Sequence, residues 1–299
     1  MALSIHLGAH KTASTHLQFS LRQIREPLRA AGLCYLDAAT LRDGPLDLSR
    51  LLAEGADSPA APAFCEALRG QRTGCADLLI SEENILGGTR RGKLFSRRGV
   101  LYPFAVRRLR QVIGLAGGGP ATLYMSIRDP AAFTVSAFAL QVAWGNEIDL
   151  AAYLCGRDPA RVGWLGLVRR LAAMPEVARV VVWRYEDYAA LRPTLLRRML
   201  PAGLVPAVPT PPPSNQSLTQ AAYDWLVARL LAGDETPARI LADQARRRFP
   251  RAEGHGPLRL LTDEDHQRSA LHYAGELALL QGLPGVELLA PPEPGQIRA

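Results

Sequence analysis

The chain has 299 residues, of which 48% are hydrophobic and 21% are charged, which suits one large globular domain with ample apolar material for its core. No apolar run approaches the ~20 residues that a membrane-spanning helix needs. The N-terminus lacks the basic leader of a secretory signal, so we expect a cytoplasmic protein. The formal net charge of +7 fits an anionic ligand, although it would fit nucleic acid equally well.

Cysteine and lysine usage add two constraints. Four cysteines are scattered along the chain without a C-x-x-C pair: Cys34, Cys65, Cys75 and Cys155. We therefore predict neither a disulfide framework nor a zinc site, and no protein-bound metal. Only Lys11 and Lys93 are lysines, whereas the remaining 33 of the 35 basic residues are arginines. A lysine inside a loop motif is therefore more informative here than in a chain of average composition.

The first half of the chain alternates short apolar runs with helical patterns. Its predicted elements are a strand at 3–7, a helix from Ser14 to about Gly32, a candidate strand at 33–36, mixed helix and loop at 41–75, a strand at 77–81, a Gly- and Arg-rich loop at 87–99 and a basic amphipathic helix at about 103–115. Leu17, Leu21 and Leu28 recur at helical spacing, so the first helix is predicted to be continuous.

The second half continues this alternation. Its predicted elements are a strand at 121–127, helices at 131–142, near 149–155 and at 160–173, a strand at 179–183, a proline-rich extended linker near 206–213, and helices at 217–232, 236–248 and 263–281. Strands that alternate with helices predict a single α/β domain over 1–299, with a mainly parallel sheet and a helical C-terminal part.

Polar residues follow three of the predicted strands, and ligands of parallel sheets bind beyond the carboxyl ends of the strands. The three strand ends read His10-Lys11-Thr12, Ser81-Glu82-Glu83 and Arg128-Asp129. We expect these groups to converge on one binding site.

The first strand and helix are joined by G-A-H-K-T-A-S-T, residues 8–15. Small residues let a backbone curl so that successive N–H groups point inward, and a helix N-terminus adds partial positive charge. Lys11, Thr12, Ser14 and Thr15 supply further donors, so the loop is predicted to cradle a phosphate. It is not a Walker A loop, because that motif ends in Gly-Lys-Ser/Thr, whereas here the lysine lies in the middle.

The pattern of a strand followed by G-x-H-K-T-[AG]-[ST]-T-x-L-Q resembles the 5′-phosphosulfate loop of bacterial relatives of the carbohydrate sulfotransferases. These enzymes use 3′-phosphoadenosine 5′-phosphosulfate, abbreviated PAPS. The usual family form has glycine at the position of Ala13, and we interpret this as a mild departure because alanine also permits close approach of the backbone.

A second element of the resemblance is Ile127-Arg128-Asp129-Pro130, with Ser136 eight residues after the arginine. An arginine at a strand end offers a planar fork to a phosphate, and a serine about two helical turns further on can donate to the same oxygens. The 3′-phosphate signature of the family has this arginine, this serine and this spacing.

Weaker similarities cover most of the rest of the chain. Leu79–Asn84, Trp183–Asp187 and Asn215–Leu218 resemble family segments at two strand ends and before the C-terminal helices. Tyr185 and Glu186 are equally consistent with capping and packing roles. The basic residues of the 87–99 loop either attract an acidic acceptor, cover the cofactor or are solvated, and 246–248 is interpreted as a solvated helix face.

The resemblance implies a P-loop-type three-layer fold, PAPS as sulfuryl donor with adenosine 3′,5′-bisphosphate as product, and no metal requirement. Its implied cofactor-binding residues are His10, Lys11, Thr12, Ala13, Ser14, Thr15, Arg128 and Ser136. Lys11 is expected to meet charge on the leaving oxygen, and Glu83 to act as general base, with His10 in reserve. Aligning the family's Ser-Ser-Glu-Asn on Asn84 selects Glu83, and Glu82→Gln is then expected to have little effect.

The acceptor is expected to carry a hydroxyl or an amine, and carbohydrate, lipid-linked glycan and small metabolite all remain open, as do an acidic acceptor and the oligomeric state. We do not expect nucleic acid as a partner. One alternative function is a P-loop small-molecule kinase, which would show nucleotide-dependent binding of magnesium. Another is a catalytically silent protein of the same fold that binds nucleotides or polyanions.

Overall fold

The structure is a computed structural model, and it describes residues 2–55, 58–212 and 217–291. Within them, six strands form one sheet in the order β2-β3-β1-β4-β5-β6, and every neighbouring pair is parallel. The strands are β1 Leu3–His6, β2 Leu33–Asp37, β3 Asp77–Ser81, β4 Ala121–Ile127, β5 Val177–Arg184 and β6 Val286–Leu289. The predicted mainly parallel sheet is confirmed.

Helices connect the strands and cover the sheet. They are α1 Ser14–Arg22, α2 Arg25–Ala30, α3 Leu48–Glu54, α4 Ala61–Arg72, α5 Ala105–Leu115, α6 Pro130–Ala143, α7 Leu150–Leu154, α8 Trp164–Ala172, α9 Tyr188–Met199, α10 Gln220–Leu231, α11 Ala238–Arg248 and α12 Asp263–Gln281. No helix within the described residues is long and apolar enough to cross a membrane.

The two faces of the sheet bury different side chains because neighbouring residues of a strand point to opposite faces. In β5, Val180 and Val182 pack into the larger core with α3–α8 and α10–α12, whereas Val181 and Trp183 pack into the smaller core with α1, α2 and α9. Helices therefore cover both faces. The predicted three-layer α/β fold with additional C-terminal helices is confirmed.

The continuous first helix is wrong, because α1 ends at Arg22 and α2 begins at Arg25. Pro27 has no N–H to donate to the carbonyl of Gln23, and its ring collides with that carbonyl in a regular helix. Leu17, Leu21 and Leu28 nevertheless share one core. The apolar spacing therefore identified the buried side chains correctly but not the break in the helix.

The proline-rich segment is fastened to the body of the protein as far as it is described. A 3₁₀ turn covers Ala202–Ala207, the carbonyl of Pro209 accepts from Arg192 Nη2 at 2.6 Å, and that of Pro211 accepts from His16 Nε2 at 3.0 Å. Pro213, the last residue of the predicted linker, lies outside the described residues.

Candidate active site

The backbone of the 8–15 loop turns sharply. Gly8, Lys11 and Ala13 have φ angles of 40°, 65° and 64°, in the left-handed region that side-chain-bearing residues rarely adopt. A Cβ at Gly8 would lie 2.9 Å from the Cβ of Ser14, so only glycine fits where the loop folds back on the start of α1. Alternating right- and left-handed residues form concave groups of N–H donors that bind anions.

Ala13 is the residue that caps α1, with φ 64° and ψ 20°. The departure from the family's glycine therefore has a different physical meaning from the one inferred from sequence. Glycine is favoured at this position because the backbone is left-handed, and not because another chain segment approaches closely. The left-handed conformation costs a residue with a Cβ about 1–2 kcal/mol.

We predict that Ala13→Gly raises the free energy of unfolding by up to about 1 kcal/mol, because relief of the left-handed strain outweighs the greater freedom of glycine in the unfolded chain. Chemical denaturation measures this change. The matched control is Ala9→Gly, at a buried position of the same loop without a positive φ, which should lower stability. A loss of stability in both variants would contradict the strain at Ala13.

The half-buried Lys11 side chain lines the cleft above the loop, and its ammonium group makes no hydrogen bond or ion pair with the described part of the chain. Burial lowers the pKa of Lys11 to about 8, assisted by the positive charges of Arg128 and Arg246. An anion that enters this part of the cleft would neutralise the repulsion, so Lys11 has the properties of an anion-binding group.

The hydroxyl-bearing residues of the loop divide into two groups. Ser14 and Thr15 line the cleft at the first turn of α1, where unpaired N–H groups point toward the ligand side. Thr12 is buried and donates through Oγ1 to the carbonyl of Ala9 at 2.6 Å. Thr12 does not line the cleft, and in this structure its hydroxyl stabilises the turn, so its side-chain contact with phosphate stays a prediction.

Arg128 follows β4 and lies next to the loop. Its Nη1 donates to the carbonyl of Lys11 at 3.0 Å, and its guanidinium stacks 4.6 Å from the centre of the Tyr185 ring. Ser136 is buried on α6, one turn before Leu140, and unlike Leu140 and Ala143 it is not among the residues that line the cleft. Its hydroxyl has no hydrogen-bond partner in the described structure, which is uncommon for a buried polar atom.

The two glutamates after β3 have different surroundings. Glu82 is buried, and its carboxylate accepts three hydrogen bonds. The donors are Arg42 Nε at 2.9 Å, Arg42 Nη2 at 2.6 Å and the N–H of Asn84 at 2.8 Å. Glu83 lines the cleft and accepts from Gln18 Nε2 at 3.1 Å and Arg42 Nη2 at 2.8 Å. Alternation at the end of the strand thus turns Glu83, and not Glu82, toward the loop.

The charges of this pair follow from the same contacts. Burial, together with the nearby Glu83 carboxylate, raises the pKa of Glu82 to about 7. Burial also opposes ionisation of Glu83, but His10 and Arg42 outweigh it and hold the pKa of Glu83 below its ordinary value. Arg42 donates to Glu83 at 2.8 Å and is a permanent cation beside it, while burial lowers the pKa of His10.

His10 lines the cleft and is held at both ring nitrogens. Nδ1 lies 2.9 Å from the hydroxyl of Tyr102, and Nε2 lies 3.2 Å from Asn84 Oδ1. The tautomer that satisfies both contacts has Nε2 donating to the amide oxygen and Nδ1 accepting from the phenol. His10 therefore fixes the loop against the residues that follow β3.

Most of these groups line one cleft of about 1380 Å³, which crosses the carboxyl ends of β3, β1, β4 and β5, whereas Thr12, Glu82 and Ser136 are not among its lining residues. Among the residues that the structure describes, eight cationic and three acidic side chains line it. The cations are Lys11, Arg42, Arg90, Lys93, Arg128, Arg192, Arg239 and Arg246. The acids are Glu83, Glu186 and Asp243. Each of the three polar strand ends contributes one or two residues to the cleft, namely His10 and Lys11, Glu83, and Arg128, whereas the rest of these strand-end residues do not line it. The positive excess suits a polyanionic ligand.

Other basic residues are distributed differently from the sequence interpretation. Within the 87–99 loop, Arg90 and Lys93 line the cleft, whereas Arg91 pairs with Glu147. The interpretation of 246–248 as a solvated face is wrong for Arg246, which lines the cleft and pairs with Asp243 at 2.8 Å. Sequence periodicity could have found this arginine only if the packing direction of α11 had been known.

Sequence analysis also missed the wall formed by α9. His16 connects this wall to α1, because its Nδ1 lies 2.9 Å from the hydroxyl of Tyr188. Arg192, from the next turn of α9, lines the cleft as well. Tyr185 and Glu186, which the sequence left between capping and binding roles, line the cleft. Asn215 and Gln216 lie outside the described residues.

His6 and His10 are four residues apart, and each ring is held by other side chains. The His6 ring stacks on Trp183 with centroids 5.9 Å apart, and its Nδ1 lies 2.7 Å from Ser81 Oγ. No cluster of three His, Cys, Asp or Glu side chains suited to a metal ion occurs in the ranges that the structure describes.

In comparisons with known proteins, no family model and no curated protein matches this chain.

Proposed function

We propose that this protein transfers a sulfuryl group from PAPS to a hydroxyl or amine of an acceptor. One observation carries the proposal. The Lys11 ammonium makes no hydrogen bond or ion pair among the described residues, its loop has left-handed residues at Gly8, Lys11 and Ala13, and the carbonyl of Lys11 accepts from Arg128. Two anion-binding groups are thereby held at a fixed separation. A nucleotide with phosphates at both the 3′ and the 5′ positions has a matching pair of anions.

The residues present fit this cofactor. The loop N–H groups, Lys11, Ser14 and Thr15 would hold the 5′-phosphosulfate. Arg128 and Ser136 would hold the 3′-phosphate, and the buried unpaired hydroxyl of Ser136 is the kind of atom that a ligand oxygen satisfies. The Tyr185 ring under Arg128 keeps the guanidinium plane in place.

When bound, PAPS would supply the sulfuryl group for transfer to the acceptor oxygen or nitrogen, with adenosine 3′,5′-bisphosphate as the leaving group. Lys11 would stabilise the negative charge that develops on the leaving group. Glu83 accepts the proton of the acceptor, and Gln18 and Arg42 orient its carboxylate. Positioning and charge stabilisation are the protein's main contributions, as in phosphoryl transfer.

We predict that adenosine 3′,5′-bisphosphate, in the absence of magnesium, raises the melting temperature of the protein more than ATP with magnesium does. At about 100 times its dissociation constant, a ligand adds ~2.7 kcal/mol of stability. Differential scanning fluorimetry at matched nucleotide concentrations measures the shift. Equal or greater stabilisation by Mg-ATP would favour a kinase and overturn the proposal.

Arg128→Ala serves as the matched variant in this experiment. The loss of one charge-assisted contact should weaken binding of the bisphosphate by about 1.5–3 kcal/mol. Adenosine 5′-phosphate, which has no 3′-phosphate to lose, should be affected much less. If Arg128→Ala weakens the binding of both nucleotides equally, Arg128 does not contact the 3′-phosphate.

A further inference from the structure

The cleft contains cations that the proposed cofactor contacts do not use. In the sheet, β3 lies on one side of β1 and β4 on the other, with neighbouring strands about 4.8 Å apart. Lys11 follows β1 and Arg128 follows β4, so the cofactor groups proposed above lie at and to one side of β1. Arg90 and Lys93 lie in the loop that follows Glu83 in the chain, and both line the cleft.

The position of Arg90 and Lys93 is fixed by a buried anchor. Thr89 is buried; its hydroxyl accepts from Gln141 Nε2 at 2.7 Å, and its carbonyl accepts from the Tyr153 hydroxyl at 2.7 Å. The N–H of Lys93 donates to the carbonyl of Arg90 at 2.9 Å. This turn brings the two cationic side chains together at the rim of the cleft.

A second part of the cleft lining comes from α11. Its residues Arg239, Ala242, Asp243 and Arg246 line the cleft, and their spacing places them on one helical face. Asp243 forms an ion pair with Arg246, whose Nη1 lies 2.8 Å from Asp243 Oδ1. Arg90, Lys93 and Arg239 have no carboxylate partner within the described residues. Trp144, at the end of α6, also lines the cleft and is 48% exposed.

We infer that the acceptor itself carries a negative charge, which Arg90, Lys93 and Arg239 recognise while Trp144 packs against an adjacent ring. Unpaired cations that line a cleft focus the electrostatic potential inside it and select anionic ligands over neutral ones. An exposed indole offers a flat apolar surface and attracts cyclic ligands. The inference extends the proposed function, because it names the substrate class that the same cleft admits.

A matched pair of probes tests the inference. 4-Nitrophenyl β-D-glucuronide and 4-nitrophenyl β-D-glucoside have the same ring system and similar hydroxyl groups, but only the glucuronide has a carboxylate. Their dissociation constants are measured by calorimetry at low ionic strength, with and without adenosine 3′,5′-bisphosphate. We expect the glucuronide to bind about 10-fold more tightly, which corresponds to about 1.4 kcal/mol in total and is of the size that a few exposed charge pairs supply together.

The variants define which cations are responsible. The triple variant Arg90→Gln, Lys93→Gln, Arg239→Gln should bring the affinity ratio of the two probes close to 1. The control variant Arg98→Gln, Arg247→Gln removes exposed arginines of the same loop and the same helix that do not line the cleft, and it should keep the ratio. Raising the salt concentration should also reduce the ratio, because screening weakens exposed charges.

The outcomes separate this inference from the proposed function. Equal binding of the two probes, or no binding of either, overturns the inference, as does an unchanged ratio in the triple variant. Transfer of labelled sulfate from PAPS is measured separately on both probes. If the charge preference is present but the bisphosphate fails to bind, the proposed function is wrong while the anionic subsite stands.

Discussion

Lys11→Ala is expected to lower turnover by about 10²–10³-fold or more while the protein remains folded. The ammonium group lies in the cleft without a partner among the described residues, and removing one group that stabilises developing charge has an effect of this size. Stability should be maintained or should increase, because the deletion removes a cation that is repelled by Arg128 and Arg246. Transfer of labelled sulfate and chemical denaturation measure the two effects.

Lys11→Arg separates a role in charge stabilisation at one atom from general attraction of anions. A broad guanidinium cannot replace a compact ammonium at a single oxygen, so we expect this variant to bind the bisphosphate but to turn over poorly. Turnover near that of the unmodified protein would contradict a role for Lys11 at the leaving oxygen.

The pH dependence follows from the same group. The pKa of Lys11 is about 8 in the folded protein and about 10.5 in an exposed lysine, so the folded state binds fewer protons than the unfolded state between these values. Stability without ligand therefore rises with pH in this window. Because the cationic form binds the anion, kcat/KM should fall as pH rises above about 8. A flat profile up to pH 10 would contradict this assignment.

Much of the fold could be predicted because buried strands have a simple sequence signature. Asp77–Ser81 and Ala121–Ile127 were predicted with their exact bounds, since each is a short apolar run between turns. Two elements escaped for physical reasons. The helix α9 was missed because it contains Pro193, a residue type that usually ends a helix. The strand Val286–Leu289 was missed because it is a four-residue edge strand that is defined only by its pairing with β5.

The residues of the candidate site could be predicted from sequence only where they follow a strand. Lys11, Glu83 and Arg128 follow strands, and parallel pairing brings them together. The role of Thr12 depends on a hydrogen bond to Ala9 that sequence does not reveal. Arg239 and Arg246 reach the cleft through packing of α11 on α6, which separates them from Lys11 by more than 200 residues in the chain.

Glu83→Gln is expected to leave binding of adenosine 3′,5′-bisphosphate intact but to lower turnover by about 10²-fold, the lower end of the range for loss of a general base. The lower end applies because the pKa of Glu83 lies below its ordinary value, and a weaker base contributes less. The substituted amide can still accept from Gln18 or Arg42, so the shape of the site is preserved. Calorimetry and labelled-sulfate transfer measure binding and turnover separately.

Glu82→Gln is the comparison variant, although the structure changes what it should do. The sequence suggested little effect, but this buried carboxylate receives two hydrogen bonds from Arg42 and one from the N–H of Asn84. Weakening such charge-assisted bonds should lower the free energy of unfolding by about 1.5–3 kcal/mol. Turnover per folded molecule, measured below the unfolding transition, should be largely retained.

The pair of variants therefore distinguishes a catalytic carboxylate from a structural one. Loss of turnover without loss of stability at Glu83, and the reverse at Glu82, supports Glu83 as the base. If Glu82→Gln is inactive although folded while Glu83→Gln is active, the base is the buried residue. If both glutamine variants retain turnover while His10→Gln does not, the proton goes to the imidazole, which must then exchange its contact with Asn84 for one with the acceptor.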